Sequence, residues 1–99
     1  MFSSPEFKKY LTEFLGTLFL VFVIFYTGNW VAIGFGLAIP VLLGGAISGG
    51  AFNPAVAVCL YLAKNKHITT VKTLLFYIIS ELLGATAGFL ICNKLLKSN

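Results

Sequence analysis

Apolar residues fill most of this chain, and polar residues interrupt them at only a few places. The longest apolar runs cover about residues 11–27, 30–46 and 71–92. A helix needs roughly 20 residues to cross a ~30 Å hydrocarbon core, and the second run reaches that length only if the glycine-rich stretch after it extends the helix. The pattern predicts an all-α membrane protein with three transmembrane helices.

Lysine-bearing segments flank the apolar region at both ends of the chain. Residues 1–10 are predicted to form an N-terminal interfacial segment with Lys8 and Lys9, and residues 93–99 a C-terminal tail. The first apolar run is too long for a cleavable signal and lacks a small-residue cleavage site. Residues 11–92 are therefore expected to form one membrane unit.

The apolar stretch that begins at Asn53 is too short to cross a membrane. About ten helical residues rise only ~15 Å, half of the hydrocarbon core. Asn53 is a favoured N-cap residue and Pro54 suits the first helical position. Gly49 and Gly50 allow the preceding backbone conformations that other residues avoid. Residues 48–63 are therefore predicted to form a re-entrant loop and a half-helix that starts near the bilayer midplane.

Such a loop would bring irregular backbone and a helix N-terminus into the bilayer. Non-helical backbone survives there only where protein buries it or where it lines a water-filled cavity. A helix N-terminus has the equivalent of about half a positive charge, which repels cations and protons at a pore centre. The Asn53 amide adds a hydrogen-bond donor. These features favour a channel for small neutral solutes.

Composition supports the membrane class and narrows the function. The chain of 99 residues is 59% hydrophobic and 10% charged, with a mean hydropathy of +0.96, whereas soluble domains have about 25% charged residues. The net charge of +4 comes from lysines beside the apolar runs, so we expect lipid headgroups and not nucleic acid as their partners. With one His, no Arg or Asp and no nucleophile–base pattern, the sequence indicates neither an enzyme nor a cofactor or metal site.

One stretch of the chain resembles a known family. The residues GGAISGGAFNPAVAV (44–58) resemble the first signature loop of the aquaporin, or major intrinsic protein, family, whose Asn-Pro-Ala core corresponds to Asn53, Pro54 and Ala55. Three more stretches are similar to the family's helices in family order: TEFLGTLFLVF (12–22), GFGLAI (34–39) and YIISELLGATAG (77–88). The resemblance therefore extends along nearly the whole chain.

The resemblance implies half of an aquaporin-like fold. The family's usual chain has two inverted repeats, each of three spans and one half-helix, and residues 11–92 correspond to one of them. The second Asn-Pro-Ala and the arginine of the family's narrow filter have no counterpart here. We therefore expect a channel subunit for water or small neutral solutes such as glycerol, whose pore an inverted half completes. The alternative is a non-conducting truncated relative, or a subunit that packs against a full-length channel.

The resemblance also implies which residues support the loop: Glu13, Ser48, Gly49, Gly50 and Glu81. The Glu13 carboxylate would accept hydrogen bonds from the loop backbone, although an acid in the first turn of a helix near the headgroups is the alternative. Glu81 stands where the family more often has glutamine, and at that depth it should face the bundle interior. If the two carboxyl groups approach each other, one should be protonated; otherwise Glu81 simply replaces a neutral glutamine.

Three further features concern packing and selectivity. Either Phe35 or Ile33 would fall near the family's narrow filter, and the spacing to the Asn-Pro-Ala core does not decide between them. Gly84 and Gly88 form a G-x-x-x-G pattern, which is typical of close helix packing. His67, the only histidine, is expected to be a solvated loop residue.

The lysines predict the orientation of the chain. With three spans, two lysines lie on one side of the membrane (Lys94 and Lys97) and five on the other (Lys8, Lys9, Lys64, Lys66 and Lys72). This bias places the N-terminus in the cytoplasm. We expect an integral, multi-pass membrane protein whose partners are the lipid bilayer and either further copies of itself or a complementary half-channel chain.

Overall fold

The computed structural model describes residues 4–97, and this part of the chain forms α-helices and no strand. The helices are α1 (Pro5–Thr27), α2 (Trp30–Ser48), α3 (Pro54–Leu62) and α4 (Val71–Lys97). Helices α1, α2 and α4 are each long and apolar enough to cross a membrane, whereas α3 has only nine residues. The prediction of an all-α membrane protein is confirmed.

Local signals set the tight turn between α1 and α2. Gly28 adopts the left-handed conformation after α1 and donates its amide hydrogen to the Ile24 carbonyl at 3.0 Å. The Asn29 side chain then accepts hydrogen bonds from Val31 and Ala32, each at 3.0 Å. This N-cap satisfies amides that a helix start leaves without a partner. The short connection makes the two helices antiparallel neighbours.

The helices extend beyond the predicted spans at both ends of the described chain. The interfacial segment predicted for residues 1–10 is helical from Pro5 onward, because the Ser4 hydroxyl caps α1 through the Phe7 amide at 3.1 Å. Helix α4 continues through Lys97, where basic side chains favour the C-terminal end of a helix. The rest of the two predicted end segments, residues 1–3 and 98–99, lies outside the described residues.

Helix α1 packs against both α2 and α4, and α3 packs against α4. Helices α1 and α4 are parallel and very close, since a Cβ on Gly84 would collide with the Phe14 carbonyl oxygen, and one on Gly88 with that of Leu18. Small residues allow this approach of two backbones in a membrane. Contact along two successive turns fixes the register of α4 on α1.

The distribution of polar and apolar side chains is the reverse of that in a soluble protein. Large apolar side chains lie on the outside, with Trp30 84% and Leu42 82% exposed. Glu13, Ser48 and Glu81 are completely buried. An apolar exterior suits lipid contact, and buried polar groups need partners inside the protein.

We predict that Gly84→Ala lowers the free energy of unfolding by about 1–3 kcal/mol, because the added methyl group forces α1 and α4 apart. Gly34→Ala is the matched control. Gly34 is also helical, but nothing lies within 4 Å of its Cβ position. This substitution should therefore raise the free energy of unfolding by up to about 1 kcal/mol, because alanine has the higher helix propensity. Unfolding in mixed detergent micelles measures both variants. Equal stabilities would contradict the close α1–α4 contact.

Candidate functional site

An irregular loop, residues 49–53, connects α2 to α3 inside the helix group. Its backbone has positive φ angles at Gly49 (90°), Gly50 (68°) and Phe52 (51°). Glycine adopts such angles freely, but a phenylalanine does so only where its surroundings impose the conformation. Ala51 and Phe52 are 3% and 2% exposed. The loop is therefore a packed element of the interior.

The Phe52 side chain fills a gap that glycines leave between α1 and α2. A Cβ on Gly16 would collide with the Phe52 ring, and one on Gly44 would lie 3.6 Å from it. Sequence reasoning missed this contact. Gly16 on α1 and Gly44 on α2 indicate this contact in the sequence, but only when the loop is known to fold back between the two helices.

The Glu13 carboxylate of α1 holds both ends of the loop. One oxygen accepts a hydrogen bond from the Phe52 amide at 2.7 Å, and the other from the Ser48 hydroxyl at 2.6 Å. The Ser48 hydroxyl in turn accepts from the Gly50 amide at 3.3 Å, and the Tyr77 hydroxyl donates to the Ser48 carbonyl at 2.7 Å. The Glu13 carboxylate thus binds α2 and the loop directly, and the Tyr77 hydroxyl adds α4 to this network through Ser48.

The position of Glu13 excludes the alternative interpretation of an acid in the first helical turn. Helix α1 begins at Pro5, so Glu13 lies in its third turn, and its side chain is 0% exposed. The first-turn acid of α1 is Glu6. Glu13 therefore belongs to the interior of the protein.

Glu81 lies beside Glu13, as expected for an acid that faces the bundle interior. Its carboxyl group is next to the Glu13 carboxyl and to the backbone amide of Asn53. It is fully buried, and neither of its oxygens has a hydrogen-bond partner within the described part of the chain. The hydroxyl of Thr17, one turn beyond Glu13, also has no hydrogen-bond partner among the described residues. The two acids therefore differ sharply in their surroundings.

Asn53 begins α3 in the manner that its sequence predicts. Its side-chain oxygen accepts a hydrogen bond from the Ala55 amide at 2.8 Å, and its carbonyl accepts from Ala57 at 2.9 Å. Pro54 occupies the first helical position. The amide oxygen caps the helix and the side chain is exposed, which leaves the NH₂ group accessible as a hydrogen-bond donor.

An apolar groove of about 370 Å³ lies between α1 and α2, next to the loop. Leu15 and Phe19 line it from α1, Ile39 and Leu43 from α2, and Phe52 from the loop. Its walls provide almost no hydrogen-bonding groups. A polar solute in this region would depend on the loop for hydrogen bonds.

The two filter candidates lie nearer the start of α2. Phe35 is 61% exposed and Ile33 is half-buried, and both lie outside the groove. The half that would face them is not part of the described chain. Whether Phe35 or Ile33 lines a filter therefore remains a prediction.

His67 lies in the segment after α3, as expected, but it is only partly exposed, because its ring packs against the loop. A Cβ on Gly49 would lie 3.2 Å from the His67 ring, and the Lys9 ammonium donates to the His67 carbonyl at 3.1 Å. Burial lowers the pKa of the His67 ring from its ordinary value of 6.5, and the charges of Lys9 and Lys66 lower it further. The segment after α3 is thereby tied to both the loop and α1.

Comparison with known proteins gives consistent matches. The profile of the major intrinsic protein family matches residues 25–99. Glycerol uptake facilitator protein-like 6 of Lactiplantibacillus plantarum is 45% identical over 87 residues, which cover 79% of this chain and 39% of that protein. Probable aquaporin TIP2-2 of Oryza sativa subsp. japonica is 39% identical over 106 residues, which cover 88% of this chain and 42% of that protein. Aquaporin-2 of Procavia capensis habessinica is 39% identical, with 89% of each sequence covered.

The chain spans about two fifths of the length of the first two of these relatives. The matched part contains the loop, the half-helix α3 and the helices α2 and α4 that surround them. No solved structure gives a significant match.

We predict that Glu13→Ala lowers the free energy of unfolding by about 1–3 kcal/mol for each buried donor that loses its acceptor. The donors are the Phe52 amide and the Ser48 hydroxyl. Glu6→Ala on the same helix is the control, because Glu6 is exposed and its loss should change stability by only about 0.5 kcal/mol. Thermal unfolding in detergent compares the two variants, and equal melting temperatures would show that Glu13 does not hold the loop.

Proposed function

The chain belongs to the major intrinsic protein family, and we propose that it forms half of a channel for water or small neutral solutes such as glycerol. The observation that carries this proposal is the Asn53-capped start of α3, which lies beside two buried carboxyl groups among the membrane-spanning helices. The names of the relatives include aquaporins and a glycerol uptake facilitator, which supports this range of solutes.

The start of α3 would select solutes by charge and by hydrogen bonding. The N-terminal end of a helix repels cations, and this end points into the interior of the half. The outward NH₂ group of Asn53 would donate a hydrogen bond to a hydroxyl or water oxygen. The apolar groove next to the loop offers almost no competing hydrogen-bond partners. A neutral solute would therefore bind briefly at Asn53 and move on.

An inverted half would complete the pore. Asn53 is exposed on the described half, and in lipid each polar group without a partner costs several kcal/mol. In transporters built from inverted repeats, an axis in the membrane plane relates the two halves. Such a partner would bring a second helix N-terminus to Asn53 and cover the loop. We propose a second copy of this chain or a complementary chain as that partner, with the N-terminus of this chain in the cytoplasm.

One observation favours a second candidate function, a non-conducting subunit that packs against a complete channel. The chain has no arginine, and the filter arginine that the family resemblance implies is therefore absent from it. Stopped-flow osmotic swelling of liposomes that contain the purified chain separates the two functions. Faster swelling than in empty liposomes supports the half-channel, and unchanged swelling, with and without an inverted partner half, supports the packing subunit.

We predict that Asn53→Asp abolishes conduction or converts it toward cations, because a carboxylate cancels the positive end of α3. Asn29→Asp is the matched control. Asn29 also caps a helix, Asp caps equally well, and this cap is far from the loop. Water permeability and cation flux in liposomes measure both variants. Unchanged permeability together with unchanged cation exclusion in Asn53→Asp would contradict the pore.

We also predict that the chain inserts in both orientations or depends on an inverted partner chain. The lysine bias of five to two opposes equal insertion but is small enough to permit a minority of inverted copies. Cysteines at Ser3 and Ser98, which lie outside the described residues, report orientation by labelling from each side of the membrane. Cys59 and Cys92 are free and are replaced first. One strict orientation, with full water conduction by the purified chain alone, would contradict an inverted pair.

A further inference from the structure

Two carboxyl groups meet in the interior of the helix group, and their surroundings are unequal. Both oxygens of Glu13 accept short hydrogen bonds, from the Phe52 amide at 2.7 Å and the Ser48 hydroxyl at 2.6 Å. Glu81 is equally buried, yet no donor within residues 4–97 makes a hydrogen bond to either of its oxygens. Glu13 therefore has the surroundings of an ionised carboxylate, and Glu81 does not.

The groups around Glu81 include no cation that would pair with a second negative charge. Its neighbours are the Glu13 carboxylate from α1, Tyr77 from its own helix and the Asn53 backbone amide from the loop, and none is a cation. The Tyr77 hydroxyl already donates to the Ser48 carbonyl at 2.7 Å. A buried charge without a partner is strongly unfavourable, and a like charge beside it adds repulsion.

We propose that Glu13 and Glu81 form a binding site for one proton. The proton is covalently bound to a Glu81 oxygen, and that O–H group donates to the Glu13 carboxylate. The remaining Glu81 oxygen is then a neutral acceptor beside the Asn53 amide. Release of the proton to water leaves two adjacent carboxylates, with no other bond made or broken. The site needs no third ligand, and among the described residues no group of three His, Cys, Asp or Glu side chains could hold a metal ion.

This proton would couple the loop to pH. Glu13 holds the loop through Phe52 and Ser48, and Asn53 follows directly after Phe52. Loss of the proton places a second negative charge behind the start of α3, which repels Glu13 and offsets the positive end of the helix. The folded state is then destabilised as the pH rises. The inference goes beyond the proposed function, because it holds whether or not the chain conducts.

The first test is thermal unfolding of the full chain in detergent from mildly acidic to alkaline pH. Unfolding frees the proton at any pH above the ordinary carboxyl pKa of about 4.3, so the wild type should lose roughly 5 °C or more in melting temperature per pH unit from there up to the pH at which the folded pair itself releases the proton. Glu81→Gln, which has a permanent NH₂ donor, should fold and lack this loss. Glu6→Gln, at an exposed position, should keep it. The same pH-dependent loss in wild type and Glu81→Gln would overturn the proposal.

The second test needs no folded variant. The infrared C=O stretch of a protonated carboxyl group should be present in the wild type at neutral pH and should shift in D₂O. Its absence would overturn the proposal. Sodium chloride and choline chloride are then compared at one alkaline pH. Equal melting temperatures support a proton as the ligand, and stabilisation by sodium alone would mean that the pair holds an alkali cation instead.

Discussion

The Glu13 carboxylate is the interaction on which the rest of the structure depends. It belongs to α1, yet it binds the end of α2 through the Ser48 hydroxyl and the end of the loop through the Phe52 amide. No water replaces such hydrogen bonds inside a bilayer, so the loop keeps its shape only while this acceptor remains. The position of Asn53, and therefore of the start of α3, follows from it.

Close backbone contacts make that arrangement possible. Gly16 and Gly44 leave room for the Phe52 ring between α1 and α2, and Gly84 lets α4 approach α1 closely enough to bring Glu81 beside Glu13. The polar groups are thus concentrated where the helices are closest, and the apolar side chains face outward. A rigid, polar interior behind an exposed Asn53 is what the proposed half-channel would require from its scaffold.

The local features of the fold could be predicted from the sequence, and the long-range contacts could not. Run lengths predicted the three long helices, and Asn53 with Pro54 predicted where the short one begins, because caps and spans depend on neighbouring residues. The packing of Phe52 and the contact of His67 with the loop depend on segments far apart in the chain, which no local pattern reveals. The choice between Phe35 and Ile33 depends on a half that would face them from outside this chain.

The most direct measurement is the depth of the two ends of α3 in a bilayer. A nitroxide label is attached to a cysteine at Ala55 or at Ala63, both exposed positions at opposite ends of the half-helix, and collision with oxygen and with a polar nickel complex reports its depth. We expect the label at Ala55 to lie near the centre of the bilayer and the label at Ala63 near the headgroups. Equal depths at the headgroup level would contradict this expectation, because α3 would then lie along the membrane surface.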